Sequence, residues 1–355
     1  MDLLQKYMNE GKTILGVGPV SRQVVQVTDE ISKNYQIPIL LICSRRQVES
    51  KDIDKSYVMS TEEISKYSSN KYIYLSRDHG SVWQGIYEKD LTFEESFEKC
   101  KLSYKKDIEN GFRILHIDPS LEKEHDKLQI IYDLIDYCES LSKDIVYEIG
   151  TDETNGSLTN TKEFEEFIYK ICKYLDFKYS KQPLFVVGQA GTYVREIFQA
   201  GYFDSTCAQN LSRICSKYGV YLKEHNCDYI YSEDFSQHNL CKVGAVNIAP
   251  ELGILQTYIL LGLLQERDQK VMNYFIDYVH SKKKWVKWLA ENRSQEEMEN
   301  LKNYTCLIAG HYHFEDDFTK EIIDRLDIKK KINNLWNKAL TFRITEILKN
   351  LGWKI

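Results

Sequence analysis

The sequence predicts an α/β fold, a closed (β/α)8 TIM barrel with a C-terminal helical extension. Three observations carry this prediction: short β-prone apolar runs alternate with amphipathic helical segments, the runs number eight, and the pattern becomes all-helical after the last. Such alternation implies a parallel sheet with crossover helices, and eight units imply closure rather than an open doubly wound sheet.

The runs fall at 13–17 (TILGV), 38–43 (PILLIC), 72–75 (YIYL), 113–117 (RILHI), 144–149 (DIVYEI), 184–187 (LFVV), 220–223 (VYLK) and 243–248 (VGAVNI). Between them, stretches such as 93–110, 127–142 and 162–175 carry apolar residues at helical spacing. Long helical patterns at 251–293 and 319–351 follow, so residues 1–255 are expected to form the barrel core and 256–355 a helical extension packed on it. No glycine-rich dinucleotide or P-loop motif is present; Gly16-Val17-Gly18-Pro19 reads as a strand-exit turn.

Composition narrows the function classes. A chain of 355 residues with 43% hydrophobic residues and five prolines can fill one large core without disordered linkers. The net charge of −6, with signs mixed throughout and no basic stripe, argues against nucleic acid. Lys282, Lys283 and Lys284, followed by Trp285 and Trp288, read as a solvated helix face with its aromatics packed on the barrel. Nine cysteines form an odd set with no C-x-x-C pair, which fits neither a disulfide framework nor a zinc ribbon. The N-terminus carries no targeting pattern and the most apolar stretch, 254–264, is too short for a bilayer. A cytoplasmic protein without a membrane partner is the expectation.

In parallel barrels, catalytic groups come from the C-terminal ends of the strands. Asp78-His79, His116 with Asp118, Glu148 with Asp152 and Glu153, Gln189, and Glu224-His225 lie at or just beyond such ends, whereas His125, His238 and His280 do not and read as surface or packing residues. Neutral imidazoles and carboxylates suit zinc, or manganese, with positions open for substrate. Cleaving the C3–C4 bond of a ketose leaves an enediolate, whose charge a divalent cation stabilises as a Lewis acid. Asp78, beside a candidate ligand, is placed to move the C4 hydroxyl proton. Each assignment has a plainer competitor. A strand-end His also caps a carbonyl or binds substrate directly, His116 either orients substrate or fills a barrel layer, and Glu148 also suits a structural pair with Arg77 or Lys242.

The segments 75–84 (LSRDHGSVWQ), 114–120 (ILHIDPS), 148–153 (EIGTDE), 40–48 (LLICSRRQV), 187–191 (VGQAG) and 242–244 (KVG) resemble, in order, the GGDHxGPxxWQ, KIHLDxS, IGTE, LIEATSNQV, QxG and KVG stretches of one family. That family is the tagatose-bisphosphate aldolase subunit usually called non-catalytic, a relative of class II aldolases that includes ketose-phosphate and hexuronate C4 epimerases. The resemblance implies Asp78 as the catalytic acid-base and His79, Glu148 and His225 as metal ligands, with Gln189, which stands where the aldolases carry another metal His, as a fourth and weaker ligand. It places Asn247 in a segment similar to their N-I-D. Arg77 stands where the family has glycine, and Asn226-Cys227 replaces a phosphate-cradling turn, which implies an altered site and a substrate other than tagatose bisphosphate.

The expected protein is therefore a metal-dependent enzyme performing retro-aldol and aldol chemistry on a ketose, ketose phosphate or related sugar, with C4 epimerisation ahead of net cleavage. Arg77, Asp118, Glu153, Lys242 and Asn247 are expected substrate contacts, with His116 and Glu148 as further catalytic candidates. His311 and His313 share one face if their segment is extended, which suits either a second metal site or a lid; the family's aromatic and basic R-Y-Y-W-P element near this place favours the lid. Two alternatives stay open: an accessory subunit bound to a separate aldolase, and a metal-free isomerase using Glu148 and His116. A homo-oligomer is compatible with each.

Overall fold

The computed structural model describes residues 2–150, 155–291 and 293–355. Eight parallel strands close into a barrel: β1 (Ile14–Val17), β2 (Ile39–Ser44), β3 (Ile73–Gly80), β4 (Ile114–Ile117), β5 (Val146–Ile149), β6 (Phe185–Val187), β7 (Tyr221–Glu224) and β8 (Ala245–Ile248). Each pairs with the next, and β8 closes on β1 with Ile14 opposite Ala245 and Val17 opposite Ile248. β1, β4 and β8 are buried on both faces, as strands must be when helices cover the outside and side chains fill the inside.

The crossover helices start where the sequence supplies caps. Phe93–Glu109 opens with a capping box from Thr92 and Glu95, Lys127–Leu141 with the Asp126 carboxylate accepting two backbone N–H groups, and Thr161–Tyr179 with Asn160 doing the same. All nine cysteines are buried and none forms a disulfide. Among the described residues, no helix is long and apolar enough to cross a membrane.

β3 differs from its expected span of 72–75 in a way that matters for function. Residues Ile73 to Asp78 register continuously with Ile39 to Ser44 of β2, so Arg77 and Asp78 lie inside the strand rather than in a loop after it. Against β4 the register shifts between Arg77 and Gly80, a bulge, and His79 there adopts φ 45°. Bulges near active sites re-aim side chains, and a non-glycine residue in the left-handed region is strained. Gly80 is required beside it: a Cβ would come 2.7 Å from the His116 carbonyl oxygen and collide with the Tyr104 hydroxyl.

The C-terminal helices are more broken than the sequence pattern predicts. Helix Pro250–Arg267 yields to Gln269–Ser281 at Asp268, whose side chain caps the second helix, and residues 255 and 256 both lie in the first of these. Lys282–Lys284 follow the helix as a turn instead of forming a helix face, while Trp285 behind them is fully buried and donates to the His280 carbonyl at 3.0 Å. Gly310–His313 is a single 3-10 turn, so the extended arrangement that would align His311 with His313 does not form. Helix Lys329–Asn350 packs against Arg22–Tyr35 and Pro250–Arg267, and Trp353 donates to the Thr13 carbonyl at 2.9 Å. The extension thereby ties the chain's end to the start of β1.

Candidate active site

The C-terminal mouth of the barrel collects polar side chains from β3, β4, β5, β7 and β8 onto one cavity. Strand alternation explains the choice: His116 on β4 and Glu148 on β5 face inward, while their neighbours Leu115 and Tyr147 pack outward under the helices. His79, His116 and His225 form a triangle with ring centroids 5.4, 5.0 and 5.3 Å apart. Asp78 Oδ1, His116 Nδ1, Glu148 Oε1 and His225 Nε2 all lie within 4.8 Å of one another.

Hydrogen bonds orient these groups. His79 Nδ1–H donates to Asp118 Oδ2 at 2.6 Å, which leaves Nε2 facing Asp78, 3.8 Å from its Oδ2. A carboxylate behind an imidazole is how metal-binding histidines are commonly fixed. His225 Nε2 lies 2.9 Å from Glu148 Oε1, and the other Glu148 oxygen pairs with the fully buried Lys223 ammonium. His116 Nδ1 accepts the His79 backbone N–H at 3.2 Å, so its Nε2 carries the hydrogen, and that atom is buried without a partner among the described residues. Asp78 is loosely held: Asn247 Nδ2 donates to it at 3.4 Å, and the His116 and His225 nitrogens are 3.8 and 3.9 Å away.

The electrostatics follow from this geometry. Burial opposes charge on Asp78, but His79 and its other cationic neighbours outweigh it and hold the carboxyl well below the usual range. Enclosure opposes the His79 cation, yet Asp78 and Asp118 push it up to about 9. Burial likewise opposes Glu148, and Lys223 leads the groups that hold it down to about 2. Burial also dominates at His225 and lowers it, so that ring is a neutral donor. Asp78, Asp118 and Glu148 against Lys223 and the His79 cation leave an excess of one negative charge, which becomes two when a metal displaces the His79 proton. Buried charge of this kind needs compensation, and a divalent cation matches it in both charge and donor chemistry.

Not every residue expected at the site lies there. Arg77 points outward from β3, fully buried, with Nε and Nη2 on the two Asp107 oxygens at 2.7 and 2.6 Å and Nη1 on the Cys43 and Val48 carbonyls, which removes it from substrate. Lys242 sits, exposed, in the turn before β8, at the opposite end of the barrel. Gln189 uses its Oε1 to accept the Asn155 backbone N–H at 3.0 Å. His311 lines the cavity, pushed down to about 3 by burial, whereas His313 turns to Asp316 at 2.6 Å. Asp152 and Glu153 lie outside the described residues. His238 and His280 are indeed packing residues, the first against Glu224 at 2.8 Å and the second against Thr305, and His125 stacks on Phe93.

Sequence reading passed over Lys223, although it is two residues before His225 and strand alternation puts both on the inner face. It also passed over Arg46, Lys287, Trp288 and Tyr312, which line the cavity from distant segments. The inner cavity measures ≈ 210 Å³ and reaches Asp78, His79 and His225.

Neither a protein-family model nor a curated protein sequence matches this chain. Solved structures do resemble it. A protein described as a probable tagatose 6 phosphate kinase from Sinorhizobium meliloti superposes with TM-score 0.71 at 17% identity, over 96% of this chain and 97% of that one. The fructuronate-tagaturonate epimerase UxaE from Cohnella laeviribosi gives 0.63 at 11% identity, over 97% and 82%. The fructose-bisphosphate aldolase from Campylobacter jejuni gives 0.51 at 13%, over 95% and 94%. The chain thus shares its closed (β/α)8 barrel fold with these structures.

Proposed function

We propose that this protein is a metal-dependent carbohydrate enzyme that breaks and re-forms the C3–C4 bond of a ketose, ketose phosphate or related sugar, with C4 epimerisation ahead of net cleavage. The observation that carries the reading is that Asp78, His116, Glu148 and His225 bring ligand atoms within 4.8 Å of one another at the floor of a cavity that Asp78, His79 and His225 line, with His79 braced by Asp118. His79, Glu148 and His225 are the proposed ligands of a divalent metal, zinc or manganese, and Asp78 supplies a further carboxylate within reach. When bound, the ion would stabilise the negative charge that develops on substrate oxygens.

The chain's own residues do the rest. Asp78, whose contacts are all 3.4 Å or longer, is free to take the C4 hydroxyl proton as the bond breaks and return it as the bond re-forms. Lys223 holds Glu148 in place and offsets part of its charge; tied to that carboxylate, its nitrogen lacks the free lone pair a Schiff base requires. His116 supports the bulge that presents His79. His311 borders the sugar.

Isotope placement tests the reading. Retro-aldol epimerisation leaves the C4 hydrogen on carbon, because the aldehyde fragment only rotates before the bond re-forms, whereas deprotonation at C4 exchanges it with solvent. Conversion in D2O, followed by NMR, is expected to give product without deuterium at C4; deuterium there overturns the assignment. Absence of both epimer and aldehyde from every sugar tested, in a protein that takes up no metal, would favour the accessory-subunit role.

A further inference from the structure

Beside the inner cavity lies a second one of ≈ 1150 Å³, and the two share Arg46, Tyr57, Lys287 and Tyr312. This vestibule has an unusual lining for a protein of net charge −6. Arg46, Lys55, Lys89, Lys123, Lys284 and Lys287 all face it, and none of the six has an ion-pair partner among the described residues. The one lining carboxylate, Asp316, is taken by His313 and the Tyr278 hydroxyl. Unpaired cations gathered around one cavity repel one another, so their convergence calls for an anion.

The same lining carries flat apolar surface. Tyr87 is 62% exposed and Ile86 39%, next to Trp83, whose indole N–H is held by Glu122 at 2.8 Å. Exposed aromatic faces interleaved with cations suit a planar heterocycle joined to phosphate. The volume also exceeds what one phosphate group fills and lies just above the range of roughly 300–1,000 Å³ usual for a whole small ligand. The lysines at 283, 284 and 287 reach this place because the chain breaks after Ser281 and buries Trp285, which turns the run toward the barrel mouth.

We propose that the vestibule binds the nucleoside diphosphate half of a nucleotide-linked ketose, joined through a primary hydroxyl so that the C2 carbonyl stays free to accept the electron pair of the breaking C3–C4 bond. The base lies against Tyr87 and Trp83, the diphosphate meets the lysines, and the sugar passes between Arg46 and Lys287 into the inner cavity. The proposal rests on the reading of that cavity as a sugar site and names the class of substrate it takes.

Calorimetric titration with UDP, CDP, ADP, GDP and dTDP, against inorganic pyrophosphate and fructose 6-phosphate, tests it without requiring turnover. At least one nucleoside diphosphate is expected to bind about tenfold or more tightly than pyrophosphate. Tyr87→Ala should weaken that nucleotide by about five- to a hundredfold, as loss of base stacking does, and leave pyrophosphate unchanged. Lys284→Glu should weaken both about tenfold or more through the lost charge-assisted contact. Both positions are solvent-facing, so both variants are expected to fold. If no nucleoside diphosphate surpasses pyrophosphate, or if Tyr87→Ala leaves nucleotide affinity intact, the proposal is overturned. Nucleotide binding without conversion of any ketose, free, phosphorylated or nucleotide-linked, would keep the vestibule and defeat the retro-aldol reading; conversion of a free ketose without nucleotide binding would do the reverse.

Discussion

Arg77 and Asp78 are adjacent on β3, both buried, both charged, and they do opposite things. Arg77 faces the helix layer and spends its donors on Asp107 and two backbone carbonyls at 2.6–2.8 Å. Asp78 faces the barrel mouth, and among the described residues its carboxylate has no polar partner closer than 3.4 Å. A buried charge with every partner in place holds structure together; one whose partners stand off keeps its valence for a ligand. Burial alone separates neither residue from the other, since it is partner distance that differs.

The largest effect expected from this contrast is on turnover. Asp78→Asn keeps the shape and removes the proton acceptor, so activity should fall by roughly two to four orders of magnitude, the usual value of general acid-base catalysis, while metal content and melting temperature stay near wild type. Near-normal turnover would take Asp78 out of the mechanism. On the other face, Arg77→Met strands the Asp107 charge and should cost about 3–5 kcal/mol in denaturant unfolding. An Arg77→Met protein of unchanged stability but raised KM would instead restore Arg77 to the substrate.

Metal content sharpens the comparison further. His79→Ala and His225→Ala should each lose most of the bound metal in elemental analysis, and Asp118→Asn, which unties His79 Nδ1, should weaken metal affinity by about 10–100-fold. Full retention in both alanine variants would misplace the site. The two histidines of the 3-10 turn divide in the same manner: His311→Ala, facing the cavity, should raise KM severalfold or shift sugar preference, and His313→Ala, bound to Asp316, should leave KM alone. Metal loss in either would argue for direct coordination.

The smallest effect concerns a satisfied carboxylate at the rim. Burial opposes charge on Glu122, but the backbone N–H of Glu124, the Trp83 indole and His125 overcome it and bring the carboxyl down to about 2. A folded pKa below the unfolded one stabilises above the unfolded pKa, and that stability is lost as pH falls toward the folded value. Glu122→Gln should therefore melt below wild type at pH 7, and the gap should close between about pH 4.5 and pH 2. A gap that persists at the acid end would mean that shape, not charge, is what Glu122 supplies.

Much of the site was legible because period-two alternation and the strand-end rule are local. His116, Glu148 and His225 sit where those rules put them, and Lys223 was within reach of the same rule. Arg77 departs from its expected place because β3 runs past residue 75; three more strand residues, 76–78, send Arg77 outward and Asp78 inward. Lys242 was misplaced by motif similarity alone, since a residue preceding a barrel strand lies at the end opposite the cavity. The 3-10 turn at Gly310–His313 left no periodic trace to read, being only one turn long.

By itself, the sequence determined the barrel, the order of its eight strands and the residues at their ends, because hydrophobic period and cap chemistry act over a few neighbouring residues. Only the tertiary structure decided which charges meet. Arg46 and Lys287 lie 241 positions apart along the chain yet line both the inner cavity and the vestibule, Lys223 joins Glu148 across the barrel, and Asp118 reaches His79 from the next strand. Barrel closure sets those distances through strand register, and an interaction between charges depends on distance and on the medium between them, neither of which a linear chain contains.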